Sequence, residues 1–160
     1  MKHVLFVCTG NTCRSPMAEG LFRELVKDRS DYKVGSAGVS AMPGGNASKH
    51  TADILKEKGV DVSGFKSRAL TRDLVEEATH IFTMAKHHLD AVVDEFPGAE
   101  GKAYLVSEFA SEDMLRNADV TDPFGGPRRI YDDTRWMLEK LLPTVLAYIE
   151  QTTKPKSEEA

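Results

Sequence analysis

The chain has 160 residues, of which 41% are hydrophobic and 29% charged, and its formal net charge is −4. This composition is typical of one globular domain with a substantial core. The acidic balance argues against a nucleic-acid partner or an anionic membrane partner, and no segment reaches the ~20 apolar residues that span a bilayer. The apolar run near the start of the chain is too short for a signal peptide. Two nearby cysteines do not form the disulfide framework of a secreted protein, so we expect a cytoplasmic protein.

The first half of the chain predicts a strand, a helix, a second strand and a second helix. An apolar run at 4–7 indicates a buried strand, and apolar residues at helical spacing over 18–25 indicate a helix. We expect Ser15 to be the N-cap of this helix and Pro16 its first residue. A strand follows at 32–37, a Gly-rich loop at 39–46, and a helix at 47–58 that ends at Gly59.

The second half continues the alternation of strands and helices. A short helix is predicted at 70–77 with Thr71 as its N-cap, then a strand at 80–84, a helix at 86–95, a strand at 103–106 and a loop at 119–127. The last helix carries spaced apolar residues between 130 and 149. Pro143 lies inside it and is expected to kink or split it, at a cost of about 3 kcal/mol. We expect one domain over 1–151 and a disordered tail over 152–160.

This alternation predicts an α/β fold, in which a parallel sheet is covered by helices on both faces. Ligands of such folds bind at the carboxyl ends of the strands. The polar turn that follows the first strand would therefore lie at the binding edge of the sheet.

The turn from Cys8 to Ser15 is the candidate active site. Backbone N–H groups on such a turn converge with the positive end of the helix dipole and form a socket for an anion. Cys8 stands at its entry and is expected to be a thiolate, and Arg14 at its exit offers paired donors to two phosphate oxygens. Gly10 and Asn11 suit the tight turn. These features indicate covalent phosphoryl transfer, and the alternative is that Cys8 is a small buried apolar residue.

Residues 7–19, Val-Cys-Thr-Gly-Asn-Thr-Cys-Arg-Ser-Pro-Met-Ala-Glu, resemble the signature of the low-molecular-weight protein tyrosine phosphatase family, in its bacterial protein-arginine-phosphatase branch. The resemblance runs over about 3–150 and implies a three-layer sandwich with a four-stranded parallel sheet. It also implies a phosphocysteine intermediate on Cys8 and catalysis without metal or other cofactor. The phosphate would be bound by the loop and the arginine, that is by Thr9, Gly10, Asn11, Thr12, Cys13, Arg14 and Ser15. Ser15 would also donate a hydrogen bond to the thiolate.

Asp122 is the candidate proton donor, because it precedes Pro123 on a Gly-rich loop. Asp-Pro is also a common turn pair, and the dipeptide alone favours a turn. The family carries its general acid on an Asp-Pro loop in this part of the chain. By this resemblance Asp122 protonates the leaving atom and then deprotonates the water that releases inorganic phosphate.

The resemblance also bears on the substrate, which we expect to be a phosphorylated protein. Phosphotyrosine-specific members have an aliphatic residue in place of Thr12 and a pair of tyrosines after Asp-Pro, where this chain has Phe124-Gly125-Gly126. A threonine makes a narrow, polar wall that suits a guanidinium, and Phe124 offers a stacking face. We expect phosphoarginine, with phosphotyrosine as the alternative. On physical grounds alone, Thr12 bonding its own backbone is an equal interpretation.

Cys13 and the histidines have two interpretations each. Cys13 either packs under the loop or forms a reversible disulfide with Cys8 on oxidation. His3, His50, His80, His87 and His88 lack the spacing of a metal site and are expected at the surface or in the core. Two alternatives to a phosphatase are an arsenate reductase and a non-catalytic phosphate-binding or redox-sensing module. A thioredoxin-linked arsenate reductase needs further cysteines, and this chain has none beyond Cys13. We expect a monomer.

Overall fold

A four-stranded parallel sheet lies at the centre of the structure, a computed structural model that describes residues 1–153. Its strands are β1 (Lys2–Cys8), β2 (Tyr32–Gly38), β3 (His80–Thr83) and β4 (Ala103–Leu105). Their order across the sheet is β2-β1-β3-β4, and every neighbouring pair is parallel. The first strand is therefore central, and it is buried from Val4 to Cys8 because both of its faces are covered.

Five helices cover the two faces of the sheet. They are α1 (Arg14–Leu25), α2 (Lys49–Glu57), α3 (Arg72–Glu77), α4 (Lys86–Glu95) and α5 (Arg128–Thr152), and a 3₁₀ turn spans Pro97–Ala99. The side chain of Phe6 packs in one core with α1, α2 and α5, whereas Val7 packs in a second core with α3 and α4. Successive side chains of a strand point to opposite faces, which produces these two cores. The predicted three-layer α/β sandwich is confirmed.

The structure differs from two local predictions about helices, the start of the first helix and a split of the last one at Pro143. The first helix begins at Arg14 with Cys13 as its N-cap, so neither Ser15 nor Pro16 has its predicted place. The Ser15 hydroxyl bonds instead to the Cys8 and Asn11 side chains. In α5, Pro143 does not split the helix, since the residues around it are buried in the core and packing outweighs the local cost.

Other boundaries agree closely with the sequence predictions. The helix at 86–95 has the predicted bounds, and the Thr71 hydroxyl caps α3 by accepting from the Leu74 N–H at 3.2 Å. The predicted tail at 152–160 overlaps the last residue of α5, Thr152, and 154–160 lie outside the described residues. In residues 1–153, no helix combines the length and hydropathy that crossing a membrane requires.

Candidate active site

The loop between β1 and α1 lies at the carboxyl end of the central strand. The end of β2 runs alongside it, where the backbone N–H groups of Val39 and Ser40 donate to the carbonyls of Cys8 and Thr9, both at 3.0 Å. At Gly38 an added Cβ would collide with the Thr9 carbonyl oxygen. A residue without a side chain is therefore required for the loop to approach β2 so closely.

Asn11 is the centre of the loop and is completely buried. Its backbone has a φ of 56°, in the left-handed region that asparagine tolerates better than most residues. Its side-chain amide donates to Ser15 Oγ at 2.8 Å and Ser36 Oγ at 2.9 Å, and its carbonyl oxygen accepts from the Arg68 N–H at 2.9 Å. One side chain thus joins the loop to α1, to β2 and to the segment before α3.

The sulfur of Cys8 lies between a polar partner and a pocket. Its Sγ is 2.9 Å from Ser15 Oγ, and Cys8 lines a pocket of about 230 Å³. The alternative that Cys8 is only a small apolar residue at the end of a strand fits this contact poorly, because the hydroxyl offers the sulfur a hydrogen bond.

Arg14 and Asp122 line the same pocket and lie close to each other. The Arg14 guanidinium donates to the Val120 carbonyl at 3.2 Å, and its Nη2 lies 3.6 Å from Asp122 Oδ2. The Arg14 side chain is buried, whereas that of Asp122 is 57% exposed. The second carboxylate oxygen of Asp122 accepts from the Phe124 N–H at 3.1 Å. The carboxylate is therefore held at the pocket mouth, where a leaving group would depart.

Eight of the ten predicted site residues line this pocket, and two do not. The eight are Cys8, Thr9, Gly10, Thr12, Cys13, Arg14, Asp122 and Phe124. Asn11 and Ser15 lie behind the loop, with their side chains bonded to each other. Their side chains support the loop, as the hydrogen bonds expected of Asn11 within the turn and of Ser15 to Cys8 require, and phosphate binding by these two residues stays a prediction.

The side chains of Thr12 and Cys13 have different surroundings. Thr12 Oγ1 makes only a long contact of 3.8 Å, to Cys13 Sγ, within residues 1–153. The interpretation in which this hydroxyl bonds its own backbone is therefore not what the structure shows. Cys13 Sγ lies 3.4 Å from the buried Tyr131 hydroxyl, and both cysteines are free thiols.

His88 belongs to the site, although the sequence placed it only at the surface or in the core. It is completely buried at the start of α4, and its Nε2 lies 2.8 Å from Thr9 Oγ1. Burial, and then the charges of Arg14 and His87, lower the pKa of His88 to about 4 against the opposing effect of Asp119 and Asp122. The imidazole is therefore neutral at pH 7. Its separation of 79 residues from Thr9 left no signal in the local sequence.

The comparisons with known proteins match the whole domain. The sequence profile described as "Low molecular weight phosphotyrosine protein phosphatase" matches residues 3–155. The chain belongs to this family. Among curated relatives of these phosphatases, the "Protein-arginine-phosphatase" of Geobacillus stearothermophilus is 42% identical over 139 residues, which are 87% of this chain and 90% of the relative. That of Bacillus subtilis (strain 168) is 39% identical over 140 residues, which are 87% and 91%.

Solved structures of the phosphatase family share the fold. The YwlE arginine phosphatase from Geobacillus stearothermophilus superposes with a TM-score of 0.85 at 37% identity, covering 97% of this chain and 99% of that one. A mutant of YwlE arginine phosphatase with a phosphorylated active-site serine also gives 0.85 at 37% identity, covering 95% and 97%. Within residues 1–153, no cluster of three or more His, Cys, Asp or Glu side chains is placed to hold a metal ion.

Proposed function

We propose that this phosphatase hydrolyses phosphoarginine side chains of proteins through a phosphocysteine intermediate on Cys8. The observation that carries the proposal is the single pocket that Cys8, Arg14 and Asp122 line together. The relatives described as protein-arginine-phosphatases, at 39% and 42% identity, support the choice of substrate.

In the first step the Cys8 thiolate attacks phosphorus. Backbone amides of the loop and the Arg14 guanidinium bind the phosphoryl oxygens, where negative charge concentrates in the transition state. A sulfur–phosphorus bond forms while the bond between phosphorus and the guanidine nitrogen breaks. The protonated carboxyl of Asp122 gives its proton to that nitrogen, so that arginine leaves as a neutral or protonated base rather than an anion.

In the second step water replaces the sulfur. The Asp122 carboxylate takes a proton from a water molecule, and the water oxygen attacks phosphorus as the sulfur–phosphorus bond breaks. Inorganic phosphate leaves, and Cys8 is a thiolate again. Ser15, at 2.9 Å from the sulfur, donates its hydroxyl hydrogen to the thiolate and makes it a better leaving group.

Thr12 and Phe124 support phosphoarginine over phosphotyrosine. Thr12 lines the pocket, and its hydroxyl has no backbone partner within residues 1–153, so it can accept a hydrogen bond from a guanidinium N–H. Phe124 is 78% exposed at the same pocket and presents a ring face to a planar cation. A pocket for phosphotyrosine would bind the phenol ring more tightly if position 12 carried an aliphatic side chain.

The test compares purified protein on phosphoarginine, phosphotyrosine and phosphoserine peptides of one sequence. We expect phosphoarginine to give the highest kcat/KM and Cys8→Ser to abolish turnover while still binding phosphate. Thr12→Ile should shift the preference toward phosphotyrosine. Thr12→Val, which keeps the shape and removes the hydroxyl, is the matched control for the hydrogen bond. A wild-type preference for phosphotyrosine would make the phosphotyrosine phosphatase the correct function.

We also propose that Cys13 protects Cys8 from irreversible oxidation. A peroxide converts the Cys8 thiolate to a sulfenic acid, and the Cys13 thiolate then attacks that sulfur, so that a disulfide forms and hydroxide leaves. Both thiols lie on the walls of one pocket, which supports this role. Mass spectrometry after peroxide treatment should find the disulfide in the wild type and sulfinic acid on Cys8 in Cys13→Ser.

The cellular setting of the enzyme follows from its nucleophile. A catalytic thiol must stay reduced, so we place the protein in the cytoplasm, where thiols are kept reduced. Its partners are phosphorylated protein substrates. The lack of nucleic-acid or membrane partners stays a prediction from composition, and the monomeric state stays a prediction.

A further inference from the structure

His88 is a buried polar residue that the two-step reaction does not use. Its Nε2 bonds Thr9 Oγ1 at 2.8 Å, and its Nδ1 has no hydrogen-bond partner within residues 1–153. The residue is completely buried beside the phosphate-binding loop. A buried polar ring with one unpaired nitrogen is rare in proteins, so the bond made by its other nitrogen calls for an explanation.

The surroundings of the ring assign its tautomer. A proton on Nδ1 would bury an N–H group with no acceptor, which is rare in proteins, whereas a proton on Nε2 has the Thr9 oxygen at hydrogen-bond distance. His88 therefore donates from Nε2 to Thr9. The unpaired Nδ1 then carries only a lone pair.

The direction of this bond decides what the Thr9 hydroxyl can do. A hydroxyl has one hydrogen and two lone pairs. Because one lone pair of Thr9 Oγ1 accepts from His88, its hydrogen is left to point elsewhere. Thr9 is exposed and lines the pocket together with Cys8 and Arg14.

The start of α4, which carries His88, is bonded to the segment that leads to Asp122. Asp119 caps α4 by accepting from the Lys86 N–H at 2.9 Å, and the Val120 N–H donates to the Met84 carbonyl at 2.8 Å. The start of α4 is thereby tied to the segment that ends in Asp122. These bonds hold the backbone from which the His88 side chain projects.

We propose that His88 is a positioning residue that orients the Thr9 hydroxyl, so that its hydrogen is donated to an oxygen of the bound phosphoryl group. The proposal about His88 rests on the proposed function, which identifies the bound anion as the phosphoryl group of the substrate. Thr9 then adds a side-chain donor to those of Arg14 and the loop amides. The relay moves no proton: His88 keeps its Nε2 hydrogen and Thr9 keeps its own.

The test measures the inhibition constant of inorganic phosphate, with kcat and KM on a phosphoarginine peptide, for variants at both positions. His88→Leu and Thr9→Val should each weaken phosphate binding roughly tenfold, the usual effect of one hydrogen bond to a charged group. The double variant should be no more than about twofold worse than Thr9→Val alone, because His88 acts through Thr9. Effects that multiply to about a hundredfold would overturn the proposal.

Two conservative variants separate positioning from packing. In His88→Gln the side-chain NH₂ can take the place of Nε2, so phosphate binding should stay within about threefold of wild type. In His88→Asn the amide is too short to reach Thr9, and binding should fall as in His88→Leu. His87→Gln, on the exposed neighbour, is the control and should match wild type. Equal losses in the Gln and Asn variants would show that only packing matters and would overturn the proposal.

The tautomer can be read in the folded wild-type protein without any variant. Nitrogen NMR of ¹⁵N-histidine-labelled protein should show His88 protonated on Nε2 with and without phosphate, and an Nδ1–H tautomer would refute the proposal. Failure of the wild type to hydrolyse phosphoarginine would count against the substrate alone, since phosphate binding is measured without it. Wild-type phosphate affinity in His88→Leu, in an enzyme that does hydrolyse phosphoarginine, would overturn the role of His88 alone.

Discussion

Replacing Asn11 with alanine tests whether one buried side chain holds the phosphate-binding loop in shape. The residue makes three side-chain hydrogen bonds, to Ser15, Ser36 and the Arg68 backbone, and adopts a φ of 56°. Alanine makes none of the bonds and is less well suited than asparagine to this backbone conformation.

The expected loss of stability follows from these contacts. Each hydrogen bond contributes on the order of 1 kcal/mol net, so that the three together are worth about 3 kcal/mol. Ser15 Oγ and Ser36 Oγ retain other partners, at Cys8 and Glu19, which keeps the loss near this value. The left-handed backbone adds about 1 kcal/mol for alanine. We expect Asn11→Ala to lower the free energy of unfolding by about 4 kcal/mol.

Urea unfolding, together with kcat/KM on a phosphoarginine peptide, is the assay. Asn11→Gly removes the same bonds without the backbone penalty and should be less destabilising than Asn11→Ala by about 1 kcal/mol. Asn117 is the matched control, because its φ is 63° and it is exposed, with no side-chain hydrogen bond within residues 1–153. Asn117→Ala should therefore cost only about 1 kcal/mol and leave kcat/KM unchanged.

The comparison of the two alanine variants decides the matter. If Asn11→Ala and Asn117→Ala lose equal stability, the three hydrogen bonds contribute nothing net and the reasoning is refuted. If Asn11→Ala loses the expected stability of about 4 kcal/mol but kcat/KM does not fall, other contacts hold the loop in its catalytic shape.

Three further results are expected. The pKa of His88 is about 4 in the folded protein and about 6.5 in the unfolded chain. Its contribution to stability is therefore complete above about pH 6.5 and is lost as the pH falls toward about 4, by a few kcal/mol at most. Urea midpoints at pH 7.5 and pH 5 should therefore differ less in His88→Gln than in wild type, and parallel curves would contradict this. Gly38→Ala should cost about 1–3 kcal/mol and lower kcat/KM, because its Cβ collides with the Thr9 carbonyl, whereas Gly64→Ala in open space should be nearly neutral by the same urea assay. Asp122→Asn should lower kcat on phosphoarginine by about 10²–10⁴-fold, and an unchanged kcat would exclude this residue as the general acid.

Local patterns predicted most of the elements, and they failed where a tertiary contact competed. The Thr71 cap and the bounds of the helix at 86–95 could be predicted from neighbouring residues, and both were confirmed. Ser15 stands before a proline as a helix N-cap often does, but its hydroxyl bonds Cys8 and Asn11, and the helix starts two residues earlier than predicted. Pro143 disfavours a helix locally, and the buried apolar face of α5 carries the helix through it.

The sequence by itself determined the α/β alternation and the loop from Cys8 to Arg14, because spacing and turn chemistry act between residues close together in the chain. The tertiary structure alone decided which distant groups face that loop. Arg14 meets the Val120 carbonyl across 106 residues, and Thr9 meets His88 across 79. These contacts depend on the order of strands in the sheet and on how the helices pack over it. Neither the strand order nor the helix packing produces a periodic pattern in the sequence. The contact between His88 and Thr9 could therefore be identified only in the structure.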